Sequence, residues 1–75
     1  MIQEHDTVAL TVDLPEHALC RDDLGTVVMT HGDKGFEVEF VTLDGRTIAV
    51  VSLTPDQVRP IGRREIAHAR AVEAA

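Results

Sequence analysis

The sequence has no tryptophan or tyrosine, only two phenylalanines, and one cysteine in 75 residues. With Phe36 and Phe40 as the whole aromatic content, the core has to be aliphatic. A lone Cys20 excludes an internal disulfide, in keeping with a reducing compartment. It also argues against a structural metal site: a closed site wants about four ligands, and His5, His17, His31 and His68 are scattered with no second Cys/His cluster. No apolar run approaches the roughly 18 residues of a membrane span, and the opening MIQEHD lacks the basic flank and apolar stretch of a signal peptide. A cytoplasmic location is expected. No catalytic or cofactor motif stands out, so neither enzyme activity nor a cofactor is expected.

Basic residues are scarce in most of the chain. Residues 1–60 carry four Lys/Arg against eleven Asp/Glu, a charge of −7, while residues 61–75 carry three against two, giving −6 overall. An acidic body repels phosphate backbones and attracts basic partners, an effect that salt weakens. Single-strand nucleic-acid binders combine a positive groove with aromatic stacking platforms, and this chain offers neither. Arg21, Lys34, Arg46 and Arg59 are dispersed, which leaves the tail arginines Arg63, Arg64 and Arg70 as the best-placed contacts for such a function.

What is present is β-structure. TVALTV (Thr7 to Val12) alternates with period two, and GTVVMT (Gly25 to Thr30) is a β-branched run that is apolar on both faces. HGDKG is a turn, with Gly32 and Gly35 free to adopt positive φ. It leads into FEVEFVTL, where Phe36, Val38 and Phe40 share one face and Glu37 and Glu39 the other. Asp44-Gly45 reads as a two-residue hairpin pair before TIAVVSL. In TPDQVRPI, Thr54 caps a short helical turn that Pro55 begins, and Val58 to Ile61 closes the sheet as a strand, with Pro60 placing it at an edge. Five short antiparallel strands with one helical turn before the last is the order of a small SH3-like barrel, an all-β domain over residues 1–61.

Residues 62–75 change character. GRREIAHARAVEAA is alanine-rich, with Ile66, Ala69 and Val72 at helical spacing after Gly62 as a hinge, and reads as a C-terminal helix. A helix of this length is marginal in water, so it is either frayed or docked on the barrel or on a second copy.

The stretch DLPEHALCRDDLGTVV holds the densest set of reactive side chains. Glu16, His17 and Cys20 could ligate a metal, and His17 could serve Cys20 as a base, but no third group is fixed to complete either arrangement. The simpler reading is a loop between the first two strands, with Leu14 and Leu19 tucked back as anchors and Gly25 allowing close packing where the second strand begins. The acids Asp22, Asp23, Glu37 and Glu39 are then the candidate face for a basic protein partner. Val27, Val41 and Val51 fall opposite the inward sets assigned here, which leaves surplus apolar surface and suggests a homodimer, unless one strand takes the mirror-image register.

HDTVALTVDLPEHALCRDDLGTVV, FEVEF, LDGRTIAVVSL and QVRP together resemble a bacterial domain-of-unknown-function family, number 4926, over residues 4 to 60. The GTVV strand also resembles the KOW class of SH3-like barrels. Ala18 and Asp22 stand where the family often has glycine. The resemblance implies a fold and no catalytic residues, and the family's small acidic proteins suggest an antitoxin or immunity role. The expectation is thus a non-enzymatic protein-binding module with a basic partner. The alternatives are an RNA-associated regulatory barrel or an accessory barrel of a metalloenzyme.

Overall fold

A computed structural model describes residues 1–72. Its strands are β1 (Thr7–Leu10), β2 (Leu24–Thr30), β3 (Phe36–Val41), β4 (Thr47–Leu53) and β5 (Val58–Pro60). They form one antiparallel sheet in the order β4-β3-β2-β1-β5. All five strands feed one cluster of buried aliphatic and phenylalanine side chains, among them Leu10, Val27, Val38, Phe40, Leu53 and Val58. With no second layer among the described residues to cover that face, the sheet has to curl around its own core, as a small barrel does. β4 and β5 are its two edges, and Pro60 sits in edge strand β5 as the sequence suggests.

Two bulges explain why β2 and β4 do not alternate cleanly. Val27 pairs with Val38 and Met29 with Glu37, so Val28 is the extra residue on β2. The bulge lets Val27 face the core while Val28 and Met29 remain 40% and 50% exposed. On β4 the register shifts at Ile48, so that Ala49 opposes Phe40 and Val51 opposes Val38. Val27 and Val51 are therefore buried, contrary to their assignment to the outer face; Val41 does lie outside, at 50% exposure. The mirror-image register holds for those two strands, yet Met29, Val41 and Val50 leave the outer face partly apolar.

The turns follow local chemistry. Gly32 and Gly35 take φ of 63° and 148°, and a side chain at Gly35 would run into the Leu53 carbonyl. The β3–β4 hairpin differs from the two-residue turn read from Asp44-Gly45. Gly45 N–H donates to Thr42 O and Thr42 N–H to Arg46 O, which makes a three-residue loop, Leu43 to Gly45, with Gly45 at positive φ. Before β5, Pro55–Gln57 forms the expected 3-10 turn, and Gln57 Oε1 accepts the N–H of Thr54.

The long loop between β1 and β2 behaves as its leucines suggest. Leu14 and Leu19 are buried and bridge each other across a 3-10 turn, Pro15–His17. β1 ends at Leu10, two residues earlier than the alternation implies. The next residue, Thr11, bonds instead to the Pro55–Gln57 turn, through its N–H to Gln57 O and its hydroxyl to Asp56 O. Gly25 abuts the core: a Cβ there would lie 2.6 Å from Val38 and 2.8 Å from Phe40.

The tail is not the helix its spacing suggests. Residues 61–72 contain a turn at Arg63-Arg64 and otherwise no regular structure, while residues 73–75 lie outside the described residues. An isolated helix with a stripe of only Ile66, Ala69 and Val72 gains too little from burial to offset its nucleation cost, and specific polar contacts win instead. No helix among the described residues is long and apolar enough to cross a membrane.

Candidate functional site

The structure divides the four candidate acids into two places. Glu37 and Glu39 project from the outer face of β3, because Phe36, Val38 and Phe40 take the inner face. Each is fixed by neighbours on β4. Ser52 Oγ donates to Glu37 Oε2 at 2.5 Å, with His31 Nε2 at 3.0 Å from the same oxygen, and Thr47 Oγ1 donates to Glu39 Oε2 at 2.8 Å. The Ser52 hydroxyl, and after it His31, hold the Glu37 carboxyl below its usual range. Met29 stands opposite Glu37 on β2, and Val50 stands opposite Glu39 on β4. Two oriented carboxylates thus share a face with two half-exposed apolar side chains.

Asp22 and Asp23 sit elsewhere, at the entrance to β2. Thr26 is the residue opposite Glu39, so Asp23 lies three residues, about 10 Å, further along the strand. The loop that delivers them contains two residues in the left-handed region, Ala18 at φ 59° and Asp22 at φ 76°. Ala18 ends the Pro15–His17 turn, and its N–H bonds to Pro15 O.

Asp23 accepts three hydrogen bonds through its carboxylate. Arg70 from the tail meets it in a two-pronged pair, Nε to Oδ1 at 2.8 Å and Nη2 to Oδ2 at 2.5 Å, and the same Nη2 donates to Ala18 O at 2.9 Å. The Cys20 N–H donates to Asp23 Oδ2 as well. Partial burial works against the Asp23 carboxylate, but the Arg70 and Cys20 hydrogen bonds outweigh it and leave the pKa below the ordinary value. A second anchor lies nearer the body: Glu65 accepts the Gly62 N–H at 2.6 Å and pairs with Arg59 at 2.9 Å. Two surface hollows are lined jointly by body and tail, one between Leu24, Ile61 and Ile66, the other between Phe40, Leu43, Ile48 and Val72.

Sequence reasoning selected Asp23 but missed its partner. Arg70 is 47 residues away, and no periodicity or motif links the two. Of the three tail arginines considered for nucleic acid, Arg70 is thus already committed to a carboxylate. Cys20 is exposed and contributes its backbone, not its thiol, to the loop. Among the described residues, no three of His, Cys, Asp and Glu gather as metal ligands would.

No curated protein matches the chain, and no solved structure matches it. A family model does, over residues 4–60, from just before β1 through the end of β5 and including the loop with Ala18, Asp22 and Asp23. By that match the chain belongs to the family described as a domain of unknown function, DUF4926.

Proposed function

We propose that this protein is a non-enzymatic binding module that holds a basic protein partner on its acidic surface. The observation that carries the reading is the outer face of β2, β3 and β4, where Glu37 and Glu39 are oriented by Ser52, Thr47 and His31 beside exposed Met29 and Val50. Oriented carboxylates lose little freedom on pairing with Arg or Lys, and the adjacent apolar groups supply the desolvated centre that an interface needs. The charge of the body favours encounter with a positive protein and disfavours nucleic acid. A small basic toxin held inactive by this surface is one partner of that description, in line with an antitoxin or immunity role in the cytoplasm.

The test is a pull-down of the tagged full chain from its host at low and high salt, alongside the Glu37→Gln/Glu39→Gln double variant. A basic protein recovered at low salt, shed at high salt and lost with the double variant supports the module. Recovery of RNA, or of a protein retained equally by the variant, overturns it.

A further inference from the structure

The feature of the molecule least explained by its fold is the arginine clamp at the entrance to β2. Asp23 presents both carboxylate oxygens to one guanidinium, and the Ala18 carbonyl accepts a third hydrogen bond from it. The clamp is built into the body: the carboxylate is held by the Cys20 N–H, and the carbonyl belongs to the residue whose left-handed conformation ends the Pro15–His17 turn. A planar fork with matched acceptors recognises arginine and discriminates against lysine, which offers a point charge without the fork. The occupant's segment has one other anchor, Glu65, which accepts the Gly62 N–H and pairs with Arg59 five residues before Arg70. Residues 62–71 are exposed, Ile66 is 86% exposed, and no regular structure fixes their path.

We infer that the Asp23 and Ala18 clamp is a binding site for an arginine presented on an extended peptide segment, and that in the free protein this chain's own Arg70 fills it. The inference rests on the binding-module reading, to which it adds the chemistry of the partner's contact and a regulatory consequence. A partner segment carrying arginine competes with the tail, so binding at the clamp releases residues 66–72, beyond the Glu65 anchor. An intramolecular competitor acts at an effective concentration on the order of millimolar, so weak arginine peptides are excluded and only a partner with further contacts displaces the tail.

The test needs no outside partner, and its failure is therefore distinguishable from failure of the pull-down at Glu37 and Glu39. The probe is a synthetic peptide of residues 63–72, RREIAHARAV, titrated into the isotopically labelled full chain while the amide resonances of Cys20 and Asp23 are followed. The Arg70→Ala chain, with its clamp vacated, is expected to bind the peptide at least tenfold more tightly than the wild-type chain. A peptide with lysine at the Arg70 position is expected to lose at least fivefold, a change that leaves the folded body untouched. Equal binding to wild-type and Arg70→Ala chains, or equal binding of the arginine and lysine peptides, overturns the clamp as a recognition site. Asp23→Asn in the Arg70→Ala background is expected to abolish binding, with circular dichroism confirming the fold; retained binding in a folded variant also overturns it.

Discussion

In the sheet, Val8, Leu10, Val27 and Val38 are wholly buried, and among the described residues no polar or charged side chain is buried. Along the tail the balance is reversed: residues 62–71 are exposed, and their path is set by Arg70 on Asp23 and Glu65 on Arg59. One region is held by apolar burial, a non-directional force proportional to area, and the other by a few charged hydrogen bonds. The first is hard to perturb locally and collapses as a unit. The second can be undone by exchanging one partner for another, as a regulated contact requires.

The strongest way to break the contrast is to damage the core. Leu10→Ala removes a fully buried side chain and should cost about 2–5 kcal/mol in urea unfolding. A 75-residue domain has little stability in reserve, so tail and sheet should be lost together in that variant. Gly25→Val forces atoms into a space where a Cβ alone would lie 2.6 Å from Val38, and overpacking of that kind costs about 1–3 kcal/mol. A stability unchanged by either substitution would contradict a core formed by these strands.

Ala18→Gly should act in the opposite direction. A residue with a Cβ at φ 59° carries a left-handed penalty that glycine lacks, so the variant should gain about 1 kcal/mol in urea unfolding, less the entropy glycine adds to the unfolded chain. Arg70→Ala should change global stability least, by under about 1 kcal/mol, because partly exposed ion pairs contribute little to folding. A loss of several kcal/mol would mean that the tail belongs to the core. Acid sharpens the same division. The folded Asp23 pKa lies below the ordinary 3.8, so the clamp contributes stability above the unfolded value and loses it as pH falls through the folded one. The tail should stay docked at pH 5 and detach only below 3.8, a transition to be followed on the Arg70 Nε–H resonance.

The sheet was legible because its signals are local. FEVEF alternates with the period of a half-buried strand, Pro55 and Gly35 mark turns, and Leu14 and Leu19 anchor their own loop. The failures came where structure depends on distant partners. Val28 and Ile48 are extra residues in their strands, and only pairing with β3 reveals which valines face inward. Asp44-Gly45 gives the correct hairpin, but the Thr42–Arg46 hydrogen bond sets its loop length. Ile66, Ala69 and Val72 have helical spacing, yet Arg70 finds Asp23 across 47 residues, and that contact decides the tail's path. The same non-locality hides half of the clamp: its acceptors lie within one loop, while its donor lies near the other end of the chain.

Beyond the Glu65 anchor, residues 66–72 are held by the clamp and not by the fold. Backbone 15N relaxation on the wild-type and Arg70→Ala chains at pH 7 tests it directly. The expected result is a fall in the heteronuclear NOE across residues 66–72 of the variant, with values for β1 to β5 and for residues 62–65 unchanged. A tail equally ordered in both chains, or a sheet that loosens along with the tail, would contradict it.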